Sequence, residues 1–302
     1  IRRHTENEFQ VAFSGFAPGF GYMVSKGANL NVPRRQSPRV RIPAGSVALA
    51  GEFSSVYPQA SPGGWQLIGV TELLMWDINR PEPALVQAGM RVNFVDATKS
   101  QISYSLPTKV SIEKNAENVS ADLTVLATGL QVLFQDLGRI GQSALGISES
   151  GSMDKSALRS ANRIVGNKSD SAVLEITQGG FKAQAHKDLI VAVTGAPCTI
   201  EVLTEENQQY QVNTYQPIHL AKGDTIKLSR PNKGVRSYFA VRGGFNIEPI
   251  LSSCSFDTLA QVGPAPIKVG QTLTVNTNSS PLAVSLNETP AFDYPAENDV
   301  VV

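Results

Sequence analysis

Arginines cluster in a stretch of the chain that proline keeps extended. Pro33, Pro38 and Pro43 punctuate it, and a proline disfavours helical geometry in the residue before it. From residue 9 to residue 51 the chain has no aspartate or glutamate. Because guanidinium groups hold planar anions through paired hydrogen bonds, the stretch predicts a site for a carboxylate or a carbamate. Its arginines are Arg34, Arg35, Arg39 and Arg41.

Aromatic residues alternate with glycines just before these arginines. Glycine allows a positive φ and lets the backbone approach a flat ligand group, so the pattern fits a ligand-binding turn. Two structural alternatives stay open: the aromatic residues can form core between turns, and the arginines can pair with some of the 26 acidic residues. The residues in the pattern are Phe13, Gly15, Phe16, Pro18, Gly19, Phe20, Gly21 and Tyr22.

A second group of polar residues follows a strand-like run in the later part of the chain. Gln135, Asp136 and Arg139 share one tight loop, and Asp154 follows Met153 at the start of a helix. An aspartate beside a Gly-Arg turn can orient a general base or an amide substrate. The alternative is that the aspartate and arginine of this loop pair with each other and brace it.

Short alternating runs, separated by turn clusters rich in proline and glycine, dominate the chain and predict a mainly-β fold. One good helix is expected, with Asp154 in its first turn and an end at Gly166-Asn167. Strand-like runs include Val40–Ile42 and Ala84–Val86. The apolar stripe of the helix consists of Leu158, Ala161, Ile164 and Val165.

Three nine-residue segments share the pattern apolar-x-x-Gly-x-x-apolar-x-apolar. Its glycine predicts a turn that leads into a strand. The segments are Val86–Phe94, Leu220–Leu228 and Ile267–Val275.

Composition, net charge and cysteine content limit the class of protein to which the chain can belong. At 302 residues, 41% hydrophobic and with zero net charge, the chain resembles an ordinary globular protein. The charge balance argues against nucleic-acid or membrane partners, and no apolar run is long enough to span a bilayer. Cys198 and Cys254 do not form a disulfide framework, which favours a reduced, cytoplasmic setting. The first ten residues have neither Met nor a signal sequence, as in a piece of a longer protein.

No familiar cofactor motif is present. Metal-ligand spacing, a P-loop, a dinucleotide fingerprint, a nucleophile elbow and a carrier-lysine motif are all missing from the sequence. The histidines are isolated, and His219 alternates with apolar neighbours as a core or rim residue would. We therefore expect no metal and no cofactor bound by a recognisable motif, so that ATP or biotin would be supplied through a partner.

The run GFAPGFGYM, then NVPRRQSPRVRIPAGSVALAG and YPQASPGGWQLIG, resembles the first-subunit family of allophanate-hydrolase-like proteins. This family includes a component of bacterial ATP-dependent 5-oxoprolinase and an inhibitor of a sporulation histidine kinase. The run VLFQDLGRIGQ, with SESGSMDKSALRSANRIVGN and VRGGFNI, resembles the second-subunit family, its usual partner. Both are similar to the carboxyltransferase domain of biotin-dependent urea carboxylase.

The resemblance implies tandem cyclophilin-like β-barrels: a first-subunit barrel over residues 1–96, a linker over 97–121 and a second-subunit unit over 122–302. Its motifs would line a cleft where the barrels meet. The implied catalytic residues are Gln135, Asp136, Arg139 and Asp154. The implied substrate-binding residues are Phe16, Pro18, Gly19, Phe20, Tyr22, Arg34, Arg35, Arg39, Gly64 and Trp65.

The resemblance implies an accessory component of an ATP-dependent amide- or lactam-processing hydrolase of 5-oxoprolinase type. Its partners would be a large catalytic subunit or a carrier domain on another chain and a small amide or lactam; self-association is a further option. Two alternatives stay open. One is the carboxyltransferase component of a biotin-dependent urea carboxylase, and the other is a non-catalytic module that regulates a histidine kinase.

The sequence also departs from the family pattern. First-subunit relatives have an earlier N-terminal domain, and second-subunit relatives continue past residue 302. A Gly- and Arg-rich loop expected near residues 261–267 is replaced by Gln261-Val262-Gly263-Pro264-Ala265-Pro266. This loses an anion contact, and we expect so trimmed a chain to be inactive alone.

Overall fold

The computed structural model describes residues 1–99, 121–276, 283–285 and 287–291. In these ranges the protein is mainly β, as predicted, with nineteen strands and two α-helices. The contacts divide it into two units. The first unit contains residues 1–99 and 140–149, and the second contains residues 121–139 and the described residues from 150 onward. Most of the predicted linker, 97–121, lies outside the described residues, as does much of the loop-like tail after 276. The barrel assignment and the domain boundaries stay predictions.

The first unit is built on one six-stranded sheet and a small two-stranded ribbon. The sheet order is β7-β4-β5-β2-β1-β8, and β3 pairs with β6 in the ribbon. A 3₁₀ turn at Ser143–Leu145 also packs in this unit. The elements are α1 (Arg2–Thr5), β1 (Glu8–Ser14), β2 (Gly21–Val24), β3 (Arg39–Ile42), β4 (Ser46–Ala50), β5 (Phe53–Val56), β6 (Ser61–Gly63), β7 (Gln66–Val70) and β8 (Arg91–Asn93).

Two apolar clusters fill the first unit. One contains Phe9, Val11 and Met23, which point to one face of the sheet because alternate strand residues share a face. The other contains Phe20 and Tyr57 and lies beside the β3–β6 ribbon. Half of the members of this second cluster are aromatic, and the arginines described below lie on its aromatic side chains.

The second unit contains two antiparallel sheets. Their orders are β10-β11-β18-β13-β16 and β15-β14-β17-β12-β9-β19. The inward-facing residues of both sheets form one large apolar core that includes Leu174, Phe181 and Phe239. The elements are β9 (Leu123–Thr128), β10 (Gln131–Gln135), α2 (Lys155–Ile164), β11 (Val173–Thr177), β12 (Phe181–Ala185), β13 (Leu189–Gly195), β14 (Ile200–Leu203), β15 (Gln209–Val212), β16 (Pro217–Leu220), β17 (Thr225–Leu228), β18 (Arg236–Val241) and β19 (Thr272–Leu273).

Helix α2 packs on the outer face of the first of these sheets. The whole predicted stripe, Leu158, Ala161, Ile164 and Val165, is fully buried against β13 and β18. The prediction placed Asp154 in the first turn, but Asp154 is the N-cap residue that precedes this turn. Its carboxylate accepts a hydrogen bond from the Ala157 amide at 2.9 Å. No helix in the described parts of the chain combines the length and the apolar character that a membrane span requires.

The repeated nine-residue pattern has the structure predicted for it. Gly89, Gly223 and Gly270 occupy equivalent positions with φ of 91°, 94° and 83°, a region that only glycine enters freely. Each lies in a turn, and β8, β17 and β19 begin two residues later. The Ala84–Val86 strand, by contrast, was predicted wrongly: only an isolated bridge from Ala84 to Trp76 forms there.

Candidate functional site

Phe20 lies at the centre of a cluster of aromatic rings in the first unit. Its ring centre is 5.1 Å from that of Tyr22, 5.3 Å from that of Tyr57 and 5.4 Å from that of Trp65, mostly in edge-to-face contacts. Phe20 and Trp65 are buried, Tyr22 is half-buried, and Phe16 adds a ring that is 51% exposed. The structure therefore brings together the predicted aromatic residues on one partly open surface.

The turn before β2 exposes Phe16 through an unusual backbone conformation. The sequence suggested that glycines would supply the positive φ here. Gly19 does, with φ of 75°, but Phe16 also has φ of 68°, which costs a non-glycine residue about 1 kcal/mol or more. Pro18 and Gly19 are buried, and the Gly19 amide donates to the Leu145 carbonyl at 3.0 Å. These two residues shape the turn and do not face solvent.

Two of the predicted arginines lie on the aromatic cluster. Arg39 Nη1 donates to the Trp65 carbonyl at 3.0 Å. The guanidinium carbon of Arg34 lies 6.0 Å from the centre of the Trp65 ring, in cation–π range. Arg35 differs, since its Nε donates to Ser37 in its own loop at 3.3 Å, while its amide donates to the Gly64 carbonyl at 2.8 Å.

The structure does not show acidic side chains paired with these arginines in the part of the chain that it describes. Within the described ranges, no carboxylate forms an ion pair with any arginine between residues 34 and 41. Arg34 and Arg35 are exposed and Arg39 is half-buried. A cationic, proline-stiffened segment above an aromatic floor is thus open to an external anion.

Tyr57 belongs to this surface although sequence reasoning did not single it out. It follows β5 directly, and its ring contacts Phe20 and Phe16 at centre distances of 5.3 and 6.3 Å. Burial raises the pKa of Tyr57, while the charges of Arg34 and Arg39 act in the opposite direction. Tyr57 lies within one of the motifs that carry the family resemblance, and this position in the motif could have identified it as a site residue.

In the second unit, Asp136 organises the loop that follows β10. Its carboxylate accepts hydrogen bonds from the Gly138 amide at 2.8 Å, the hydroxyls of Ser253 and Ser255 at 2.7 and 2.6 Å, and the Cys254 amide at 2.6 Å. The Asp136 amide donates in turn to the Ser255 hydroxyl at 2.9 Å. Apart from Gly138, which belongs to the loop itself, these partners hold one segment, residues 253–255, against the loop.

Arg139 and Gln135 bind backbone carbonyls within and beside this segment, between residues 250 and 256. Arg139 is 1% exposed and donates to the carbonyls of Ile250 at 3.0 Å and Ser255 at 2.8 Å, and burial lowers its pKa. Gln135 Nε2 donates to the Phe256 carbonyl at 3.0 Å. The loop is therefore braced, but not by an Asp136–Arg139 pair: each side chain clamps the segment separately. The catalytic roles of these residues stay predictions.

A separate polar network surrounds Asp154. The Asp154 amide donates to the Tyr238 hydroxyl at 2.7 Å, and that hydroxyl donates to Glu175 Oε2 at 2.9 Å. Glu175 Oε2 also accepts from the Met153 amide at 2.9 Å. Burial, followed by the charge of Glu175, raises the pKa of Tyr238 far above its ordinary value. The network fixes the turn before α2, and Met153 protrudes from it with 73% exposure.

We expect Tyr238→Phe to lower the free energy of unfolding by about 2 kcal/mol, because it leaves the Asp154 amide and Glu175 without their buried partner. Chemical denaturation monitored by circular dichroism measures the change. Tyr210→Phe, at an exposed strand position, should have almost no effect. Equal stabilities for Tyr238→Phe and wild type would contradict a structural role for this hydroxyl.

Both cysteines lie in the described ranges as free thiols. Cys254 lies in the clamped segment, but burial raises the pKa of its thiol to about 11, so it is neutral at physiological pH. Cys198 is also a free thiol, and burial raises its pKa. No group of three or more His, Cys, Asp or Glu side chains among the described residues is placed to hold a metal ion.

Comparison with protein families matches both ends of the chain. The family described as carboxyltransferase domain, subdomain A and B, matches residues 145–302, which is more than half of the sequence. The family described as carboxyltransferase domain, subdomain C and D, matches residues 1–86. The chain belongs to the carboxyltransferase-domain family. Its C/D region contains the arginines and the aromatic cluster, its A/B region contains Asp154, and Asp136 lies between the two matches.

Individual relatives agree with this assignment. The carboxyltransferase-domain chain is 48% identical over 95 residues to the B subunit of 5-oxoprolinase from Escherichia coli O157:H7, covering 32% of this chain and 44% of the relative. It is 37% identical over 141 residues to the C subunit of 5-oxoprolinase from Escherichia coli K12, covering 47% and 44%. It is 30% identical over 176 residues to urea amidolyase of Saccharomyces cerevisiae, covering 56% and 9%. The chain thus spans less than half of each of these relatives.

A solved structure extends the likeness to almost the whole chain. The crystal structure of TTHA0988 superimposes with a TM-score of 0.82 and 31% sequence identity, covering 97% of this chain and 57% of that one. Both halves of the carboxyltransferase-domain chain therefore have counterparts in one solved polypeptide.

Proposed function

We propose that this chain is an accessory component of an ATP-dependent hydrolase that opens a small amide or lactam, as 5-oxoprolinase does. It would combine in one polypeptide the counterparts of the B and C subunits of 5-oxoprolinase, to which it is 48% and 37% identical. The observation that carries the proposal is the pair Arg34 and Arg39, free of carboxylate partners in the described ranges and lying on the aromatic cluster.

The chemistry of this surface suits 5-oxoproline. That molecule has one carboxylate and one flat lactam ring. A guanidinium can hold the carboxylate through two parallel hydrogen bonds, and the exposed Phe16 ring offers a face for the lactam. Aromatic side chains around the anion also exclude water, which strengthens each charged hydrogen bond.

We assign the ATP-dependent step to a partner protein. ATP would act on the lactam in a large catalytic subunit on another chain, because the sequence contains no P-loop motif. On this proposal the present chain binds and orients the anionic end of the substrate. That Gln135 and Asp136 position an amide stays a prediction from the sequence, and in the second unit both side chains are engaged with residues 253–256.

We expect Arg34→Gln and Arg39→Gln to lower kcat/KM at least about 10-fold, the effect of losing about 1.4 kcal/mol of interaction. The assay combines the full-length protein and its large partner subunit with 5-oxoproline and ATP, and measures glutamate release. Arg91→Gln is the matched control, since Arg91 is an exposed arginine of the same unit that pairs with Glu8 on the surface. Unchanged kinetics in both site variants would remove these arginines from the mechanism.

Carboxyl transfer to a urea-like amide is the second candidate. It is favoured by the 176-residue match to urea amidolyase, which covers 56% of this chain. The same arginines would then hold a carbamate or carboxylate product. Transfer of a labelled carboxyl group to urea from a carrier whose biotin has first been carboxylated by a biotin carboxylase with ATP and labelled bicarbonate would support this candidate. ATP-dependent glutamate release from 5-oxoproline with no such carboxyl transfer to urea would exclude it.

A further inference from the structure

The β3–β6 ribbon places Arg39 directly opposite a glycine. Arg39 pairs in register with Gly63, and opposite residues of antiparallel strands point to the same face of the sheet. Two residues after Gly63, the Trp65 carbonyl accepts the hydrogen bond from Arg39. The side chain of Arg39 therefore extends along the face on which Gly63 has no side chain.

The Tyr57 hydroxyl occupies the space that Gly63 leaves empty. A Cβ built on Gly63 would overlap the Tyr57 hydroxyl oxygen and would also come within 2.9 Å of Ile42 Cδ1. Because Gly63 lies outside the positive-φ region, its backbone would accept alanine, so the clash is with side chains alone. Glycine at position 63 thus lets the phenol lie on the same face as Arg39.

Among the described residues, the Tyr57 hydroxyl has no hydrogen-bond partner. Tyr57 is 1% exposed. Some polar side-chain atoms in the described part of the chain are both fully buried and without a partner, but the Tyr57 hydroxyl does not belong to that group. What little surface Tyr57 exposes therefore includes its oxygen. A phenol that is held by ring packing and keeps its proton at neutral pH is an unused hydrogen-bond donor.

We propose that the Tyr57 hydroxyl, seated over Gly63, is a hydrogen-bond donor to the anion held by Arg34 and Arg39. This inference rests on the proposed function, because it assigns a further binding residue to the same site. A fixed neutral donor beside two cations favours a carboxylate, whose second oxygen reaches the phenol, over a small spherical anion. Tyr57 and Gly63 would then set the specificity of the site for planar carboxylates.

The test is calorimetric titration of the full chain with 5-oxoproline, and with acetate and chloride as simple anions. Tyr57→Phe should bind 5-oxoproline about 10-fold more weakly, as expected on losing a hydrogen bond to a charged group. Its unfolding free energy should stay close to that of wild type, because the ring packing is kept. Tyr210→Phe should bind like wild type.

Gly63→Ala provides a second, independent variant. It should weaken binding about as much as Tyr57→Phe, since the methyl group displaces the hydroxyl. In the double variant Tyr57→Phe/Gly63→Ala the two losses should not add, because the alanine acts through the hydroxyl that is already gone. Fully additive losses would show that Gly63 acts by some other route and would overturn the pairing.

The outcomes separate the two proposals. If wild type binds 5-oxoproline, the arginine variants bind weakly and Tyr57→Phe binds like wild type, the role of Tyr57 is wrong and the proposed function stands. If wild type binds acetate but not 5-oxoproline, the proposed substrate is wrong, and Tyr57 is judged by the same variants with acetate. If wild type binds neither carboxylate, both proposals are overturned.

Discussion

Asp136→Ala should lower the free energy of unfolding by about 3 kcal/mol or more, one of the two largest effects that we expect from a single substitution. The carboxylate accepts four hydrogen bonds, from two amides and two serine hydroxyls. Bonds to a charged acceptor contribute about 1.5–3 kcal/mol each, and partial solvent exposure of Asp136 reduces the sum. Urea denaturation of the full chain measures the loss.

Two further variants separate the structural role of Asp136 from a catalytic one. Asp170→Ala is the control, because Asp170 lies exposed in a loop of the same unit and should leave stability unchanged. Asp136→Asn keeps one acceptor oxygen but turns an amide toward the Cys254 amide, so an intermediate loss of stability is expected. If Asp136→Asn instead keeps its stability and abolishes turnover, the predicted catalytic role gains the support that the structure alone does not give it.

Helix α2 shows what local sequence determines. Its N-cap aspartate, its apolar stripe at helical spacing and its terminating glycine each act over about one helical turn, on residues close by in the sequence. The turn glycines at 89, 223 and 270 are similar, because a positive φ is a property of one residue. The prediction placed Asp154 one position too far into the helix, which is the usual error at helix ends.

The candidate site depends on contacts that are distant in sequence. Whether Arg39 pairs with a carboxylate or with the Trp65 carbonyl is decided by the register of β3 against β6, which sequence alone does not reveal. The Asp136 loop shows the same limit. Three of the four groups that bond the Asp136 carboxylate lie 117–119 residues away, so the sequence offered Arg139 as its nearest charged partner instead. Tyr57 was missed because nothing near it shows that Gly63 makes room for its hydroxyl.

These findings change how the sequence motifs are interpreted. The QDLGR loop contains a carboxylate and a guanidinium, and both form hydrogen bonds to the backbone of residues 254 and 255. The PRRQSPR segment contains guanidinium groups without carboxylate partners in the described ranges. The two motifs looked equally suited to chemistry in the sequence. The hydrogen bonds favour the arginine segment as the place where an external ligand binds.

Acidification from pH 7 to pH 4 should destabilise the first unit by up to about 3 kcal/mol through His4. The His4 ring is 4% exposed, lies 4.8 and 4.2 Å from the ring centres of Phe9 and Phe94, and hydrogen-bonds Ser54 at 2.7 Å. Burial lowers its pKa from 6.5 to about 4. Because the unfolded chain takes up the proton near pH 6.5 and the folded chain only near pH 4, protons favour unfolding across this window.

Comparison of two glutamine variants isolates this effect from the titration of carboxylates. His4→Gln can still bond to Ser54 but cannot be protonated, so its unfolding free energy should fall much less between pH 7 and pH 4 than that of wild type. His219→Gln, at an exposed position of β16, should follow the wild-type curve. Parallel curves for wild type and His4→Gln would show that His4 does not carry the pH dependence, since removing the buried imidazole is the only difference between them.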